Sequence, residues 1–220
     1  MPEQHEARSI VAQGEAATRR LFEALVATVI AHGTELTDLD RAIGDGDHGI
    51  NLARGFKAVA LEIDDLALLP LGAALKAAGK RLVMSVGGAS GPLYGTFFMT
   101  LGERLAAAEP LSRERFVDCC DAAVAAVRAR GKADVGQKTL LDVLVPVATE
   151  LRAGGDDVLS RLVERAAAAA AATVPMRAQR GRAAFLGERS IGHMDPGARS
   201  SELLIAAAVS SLTPLPSELQ

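Results

Sequence analysis

At 220 residues, with 49% hydrophobic and 23% charged side chains, the chain has ordinary globular composition and enough length to bury one real core. A formal net charge of −3, no Trp and a single Tyr exclude a general nucleic-acid binder, because neither a basic stripe nor a set of stacking platforms for bases is present. The two cysteines, Cys119 and Cys120, are adjacent; they give neither a disulfide framework nor C-x-x-C metal spacing and read as core filling on a helix. The polar start, MPEQHEARS, lacks a signal-peptide pattern. No apolar run reaches the roughly 18 residues that a bilayer span needs. The expectation is a cytoplasmic protein with neither nucleic acid nor membrane among its partners.

Taken in chain order, the apolar residues recur with the period of helices that bury one face. Leu21, Leu25 and Val29 form the first stripe, widened by Phe22, Val26 and Ile30. Leu71, Leu75, Ala78 and Leu82 repeat the pattern, as do Tyr94, Phe98, Leu101 and Leu105, and then Phe116, Cys120, Ala123 and Val127. Leu140, Leu144, Val147 and Leu151 follow, then Leu159, Leu162 and Ala166, and finally Leu204, Ala207 and Ser211. Breaks at Gly33, Pro70, Pro110 and Gly154–Gly155 separate these segments. Ser112 and Asp156 are candidate N-caps, and Pro146 falls inside a pattern that it should kink or locally rearrange. The seven alanines Ala166–Ala172 predict a helix whose small side chains let a neighbour approach. Period-two alternation is missing. The expectation is therefore about eight helices and no sheet, in a single domain over 1–220, as a bundle or barrel.

Three stretches, 33–49, 85–91 and 174–198, lack this periodicity and read as loops. Long loops inside a compact domain are typically lids, binding loops or disordered. In the first, LDRAIGDGDHGINLARGF, three aspartates, Asp40, Asp45 and Asp47, crowd together among glycines. Without a counter-charge they repel one another; a divalent cation removes that conflict, and hard oxygen ligands suit Mg²⁺, Ca²⁺ or Mn²⁺. An EF-hand fails in both registers, since counting from Asp45 puts Phe56 where the bidentate Glu belongs and counting from Asp40 puts Ala42 at the third position. An Mg²⁺ site completed by substrate phosphates fits better, with Gly44, Gly46 and Gly49 giving the backbone room and left-handed freedom. The competing reading is a plain turn in which Asp47 caps the next helix. His48 suits either a phosphate contact or a local hydrogen bond, and Asn51, one turn on, faces the same way.

The second stretch, SVGGASGPLYG, has Gly87, Gly88 and Gly91 before a helix entered at Ser90 and Pro92. Free N–H groups at such an entrance bind phosphate, although neither a Walker A loop nor a dinucleotide fingerprint is present. The third brings Arg182, Arg189, His193 and Asp195 into a glycine-punctuated segment, and Arg182 suits a phosphate as a planar fork. RGKADVGQKT, Arg130 to Thr139, is a fourth loop of similar character. Together they offer metal ligands, a phosphate cradle and cations that close over a nucleotide, which is what phosphoryl transfer requires.

The segments LDRAIGDGDHGIN, SVGGASGPLYGTFF, RGKADVGQKTLLDVLVPV and GRAAFLGERSIGHMDPGA, in this order and over essentially the whole chain, closely resemble the nucleotide-binding L subunits (DhaL) of dihydroxyacetone kinases. The resemblance implies an all-α fold, a closed barrel of eight antiparallel amphipathic helices with the nucleotide at one end. It implies that Asp40, Asp45 and Asp47 hold two Mg²⁺ ions against the phosphates of ADP or ATP. His48, Gly49, Ile50 and Asn51 match the nucleotide-contacting segment, and Ala89 and Ser90 match the phosphate loop. Gly131 and Leu140 fall where the adenosine end is held, while Arg182, Asp195, Pro196 and Gly197 match a late loop that folds over the nucleotide. The implied activity is a phosphotransferase with an alcohol acceptor. A separate K subunit holds dihydroxyacetone covalently, and this chain supplies the γ-phosphoryl. In one branch ATP exchanges as a substrate; in the other ADP stays bound and a phosphotransferase-system protein recharges it. Related kinases take erythrulose instead. Two alternatives stand beside this reading: the nucleotide domain of a fatty-acid kinase, whose loop resembles D-G-D-T-G-x-N where this chain has His48 at the Thr position, and an ADP-bound regulator of a transcription factor. Self-association is left open.

Overall fold

The computed structural model describes residues 2–108 and 111–212, with side chains from residue 13 onward, so that Pro110 lies outside the described residues. Among these all regular structure is helical. The helices are α1 (Pro2–Ala31), α2 (Gly33–Ile43), α3 (His48–Ala60), α4 (Ile63–Ala67), α5 (Leu71–Ser85), α6 (Ser90–Ala106), α7 (Arg113–Gly131), α8 (Leu141–Ala153), α9 (Val158–Ala172) and α10 (Pro196–Leu212). A 3₁₀ stretch, Arg182–Ser190, precedes the last of them and is broken internally at Gly187. No described helix is long and apolar enough to cross a membrane.

The expected helical stripes form the core. Phe22, Leu25 and Val29 of α1, Leu52 and Phe56 of α3, Leu75 and Leu82 of α5, Tyr94 and Phe98 of α6, Val127 of α7, Leu144 of α8 and Leu204 of α10 meet in one cluster. Ile30, Leu71 and Leu159 lie on exposed edges of their stripes. The alanine run does what small side chains allow: Ala166, Ala169 and Ala170 of α9 pack against Val143 and Val147 of α8 and Ala198 of α10. Helices α5 and α6 approach still more closely. A Cβ at Gly79 would stand 2.8 Å from the Gly95 carbonyl oxygen, and one at Gly102 would stand 2.3 Å from that of Gly72. In packing order α1 lies on α3, α3 on α5, each helix from α5 to α10 on the next, and α10 on α1.

Several sequence expectations need correction. The stretch 33–49 is not a loop throughout, because α2 occupies its first eleven residues and buries Leu36, Thr37 and Ile43. Its acidic composition hid that stripe. Likewise 174–198 contains the 3₁₀ stretch and the start of α10. With α2 and the five-residue α4, the helices outnumber the expected eight. Ser112 does cap α7, its Oγ accepting the Arg115 N–H at 3.2 Å. At α9 the cap position falls on Asp157 rather than Asp156, and no side chain caps it. Helix α8 runs on through Pro146, which withholds only one N–H from the carbonyl a turn earlier.

Candidate functional site

The start of α3 is built by a residue from the preceding helix. Asp40 Oδ2 accepts the N–H of Asp47 at 2.8 Å and of His48 at 3.1 Å, so Asp40 caps α3 from outside. Asp47 occupies the N-cap position without making a cap hydrogen bond, which disposes of the plain-turn reading for its carboxylate. Gly44 makes room for this arrangement, since a Cβ there would stand 2.1 Å from Asp40 Oδ1. Gly49 has a different task from the one expected: it lies under α2, where a Cβ would meet the Gly33 carbonyl oxygen at 2.0 Å. Of the three loop glycines only Gly46 takes a left-handed conformation, with φ +74°.

As a result, one oxygen each of Asp40, Asp45 and Asp47 falls within 4.8 Å of the others. All three residues line a cavity of about 520 Å³, a volume suited to a mid-sized ligand. The remaining walls come from the other expected loops. Gly87, Gly88, Ala89 and Ser90 form one side, Gly131 and Leu140 another, and Arg182, Asp195, Pro196 and Gly197 a third. Four helices, α3, α6, α8 and α10, start at this cavity. Their positive dipole ends favour an anion. Hard carboxylates sharing a cavity with four helix N-termini can take a polyanion together with divalent cations, and the donor set of three carboxylates fits Mg²⁺ or Ca²⁺ better than zinc or copper. Arg182, which also lines the cavity, has Nη2 3.0 Å from Asp45 Oδ2.

His48 is buried and both ring nitrogens are engaged. Nδ1 lies 3.0 Å from Ser90 Oγ and Nε2 lies 2.9 Å from Ser200 Oγ. Burial pushes its pKa down to about 4 against the opposing pull of Asp40 and Asp47, so the ring is neutral at pH 7. The network continues through the Tyr94 hydroxyl, 2.7 Å from Ser200 Oγ and 2.9 Å from Ser201 Oγ. Ser200 also donates to the Pro196 carbonyl at 2.9 Å. A proton on Nε2 satisfies the chain: Ser90 donates to Nδ1, and Nε2–H donates to Ser200. His48 thus ties the α6 entrance to the α10 entrance. Burial also pushes the Asp195 carboxyl up to about 7, although its Oδ2 accepts the Ala198 N–H at 2.7 Å.

Three expected residues stand behind the cavity wall rather than on it. Gly49 is buried against α2, and Ile50, 59% exposed, faces an open groove with Gly33, Thr37 and Arg41. Asn51 is buried; its Oδ1 accepts from Arg54 at 2.8 Å and sits where a Gly87 Cβ would come within 2.7 Å. Sequence reasoning missed Tyr94, Lys138, Arg180 and Ser200. The first and last were legible from helical spacing, each lying one turn beyond an expected residue, Ser90 and Pro196. Lys138 gave no local signal.

The DAK2 domain family matches residues 42–210, more than half of the chain, and the chain belongs to that family. It is 46% identical over 171 residues to the "PEP-dependent dihydroxyacetone kinase, ADP-binding subunit DhaL" of Escherichia coli strain K12, covering 75% of this chain and 81% of that protein. The corresponding "PEP-dependent dihydroxyacetone kinase 1, ADP-binding subunit DhaL" of Listeria innocua is 44% identical over 172 residues, covering 78% and 84%. Among solved structures, the dihydroxyacetone kinase of C. freundii superposes with a TM-score of 0.72 at 28% identity. That match covers 88% of this chain but only 34% of the C. freundii chain, so this chain spans about a third of it. The same kinase has been solved in complex with AMP-PNP and Mg²⁺, with the same TM-score.

Proposed function

We propose that this chain is the ADP-binding subunit of a dihydroxyacetone kinase, a phosphotransferase with an alcohol acceptor. The observation that carries the reading is the convergence of three carboxylates and four helix N-termini on one cavity, in a chain 46% identical to an ADP-binding DhaL subunit. On this reading Asp40, Asp45 and Asp47 hold two Mg²⁺ ions, which when bound neutralise the charge of the nucleotide phosphates. Ala89 and Ser90 offer the α6 N-terminus to those phosphates, with His48 fixing Ser90 and Asn51 bracing Gly87; Gly49 sets the packing of α3 behind them. Gly131 and Leu140 hold the adenosine end. Arg182 exchanges its bond to Asp45 for one to phosphate, and Asp195, Pro196 and Gly197 close the far wall.

The ketose belongs to a separate K subunit, and the substrate is chosen there. Two PEP-dependent relatives above 40% identity support the branch in which ADP stays bound and a phosphotransferase-system protein recharges it, and they do not favour the regulatory or fatty-acid kinase alternatives. A single domain over 1–220, forming a closed barrel of eight helices in the cytoplasm, goes with this reading. The return of α10 onto α1 supports the closure.

The test is reconstitution. The purified chain with Mg²⁺-ADP, a K subunit and a phosphoryl donor is expected to phosphorylate dihydroxyacetone, and none of the components alone should do so. Robust kinase activity from this chain without a K subunit would overturn the proposal.

A further inference from the structure

Lys138 is one of the largest fully buried side chains among the described residues, at 1% exposure, and although it feels the charge of Asp195, no salt bridge joins it to a carboxylate among those residues. Its ammonium sits instead among backbone carbonyls of the late segment. Nζ lies 2.5 Å from the His193 oxygen, 2.7 Å from Ser190, 3.0 Å from Met176 and 3.4 Å from Val174. An ammonium carries three donors, so this cage uses all of them. The two strings of chain that supply the carbonyls, 174–176 and 190–193, frame the segment carrying Arg180, Gly181, Arg182 and Ala183 to the cavity wall.

The loop that carries Lys138 is itself strained into place. Lys138 has φ +62°, a conformation that disfavours a side chain, and Gly136 has φ +85°. Buried Asp142 holds both flanks, accepting the Gly136 N–H and, at 2.7 Å, the Thr139 N–H. Further bonds tie the segment between those strings to the Lys138 loop: the Gln179 N–H to the Gln137 carbonyl at 3.1 Å, and Arg180 Nε to Gln137 Oε1 at 3.0 Å. A residue held with positive φ and fully buried, with its charge spent on carbonyls 36 to 55 positions away, is placed for something other than local stability.

We propose that Lys138 is the positioning residue of the site: its carbonyl cage holds the late segment as a preformed wall, and that wall slows release of the bound nucleotide. The second clause rests on the function proposed above; the first does not. Removing the ammonium takes this donor from the Met176, Ser190 and His193 carbonyls, the Ser190 bond being buried, while Val174 keeps the Gly192 N–H; this loosens the 174–193 segment while leaving the main core, on other helices, untouched.

Two variants test this on the full chain. Lys138→Gly removes the side chain and suits the left-handed backbone, while Lys138→Met keeps the stem and removes only the charge. In both, hydrogen exchange at the amides of Gln179, Ile191 and Gly192 is expected to speed at least tenfold, with α-helical circular dichroism retained. Release of a fluorescent ADP analogue in Mg²⁺ should speed by a similar factor. n-Butylammonium, which supplies the missing stem and its donors, should restore slow exchange and slow release to Lys138→Gly, and n-butanol should not. Rescue of this kind separates positioning by the ammonium from a general loss of packing. Unchanged amide exchange in the Met variant would overturn the cage as the holder of the wall, as would equal rescue by n-butanol. Faster exchange with unchanged nucleotide release would overturn the retention role. A wild-type chain that binds no ADP in Mg²⁺ would count against the proposed function and against retention, and amide exchange would still decide the cage.

Discussion

The two walls of the cavity solve the problem of charge in opposite ways. On the acidic side, Asp40, Asp45 and Asp47 gather carboxylate oxygens within 4.8 Å, and Asp45 meets the 70% exposed Arg182. On the late-segment side, the buried Lys138 finds four carbonyls, Asp142 finds two backbone N–H groups, and Asp195 accepts from Ala198. One wall is internally satisfied. The other, on the function proposed above, is completed by a metal-bound nucleotide, with Asp40 already accepting two backbone N–H groups. The contrast separates residues that are completed by ligand from residues that hold the frame, and the two kinds should fail differently when changed.

The largest effect is expected on the ligand-completed side. Asp45→Asn should weaken Mg²⁺-nucleotide binding on the order of 100-fold, a few kcal/mol at about 1.4 kcal/mol per tenfold. Its circular dichroism and melting should stay near wild type, because the residue is exposed; calorimetric titration beside a thermal melt reads both. Gly49→Ala should behave as a frame variant. The added Cβ has no room beneath the Gly33 carbonyl, so overpacking of roughly 1–3 kcal/mol should appear in the melt, with α2 and its Asp40 displaced.

Asp195 yields a pH signature on the frame side. Its carboxyl is raised from 3.8 to about 7 by burial, so the folded state keeps a proton that the unfolded state has already lost. Stability from this group is therefore fully present below about pH 4 and falls as pH rises toward 7, with a slope of at most about 1.4 kcal/mol per unit. His48 is shifted the other way and works against this at low pH. The difference between wild type and Asp195→Asn, measured by denaturant titration across that range, isolates the carboxyl; a flat difference would contradict the assignment. The smallest stability effect is expected from Arg182→Ala, within about 1 kcal/mol for so exposed an ion pair, but nucleotide binding should still weaken. That variant joins both walls and sharpens the line between them.

What the sequence disclosed follows the same division. Long helices were legible because their buried faces repeat: the Phe22–Val29, Leu75–Leu82 and Tyr94–Leu105 stripes are all core. The acidic loop was legible because like charges so close together demand an explanation. Helix α2 was not, since its buried face of Leu36, Thr37 and Ile43 is thin and Asp and Arg surround it. Lys138 was not legible either. A lysine in a polar loop reads as solvated, and its partners are backbone oxygens whose positions no side-chain pattern announces. Gly49, Ile50 and Asn51 illustrate a third case, in which a motif is contiguous in sequence but α-helical geometry turns successive residues away from the cavity that His48 lines.

The account stands most directly on one titration. ADP is added to the nucleotide-stripped chain in Mg²⁺ and again in excess chelator, with wild type and Asp45→Asn in parallel. Tight binding by wild type in Mg²⁺, lost in chelator and lost in the variant, is the predicted result. Binding of equal strength in chelator, or in Asp45→Asn, would contradict the claim that the three aspartates are completed by a metal-bound nucleotide.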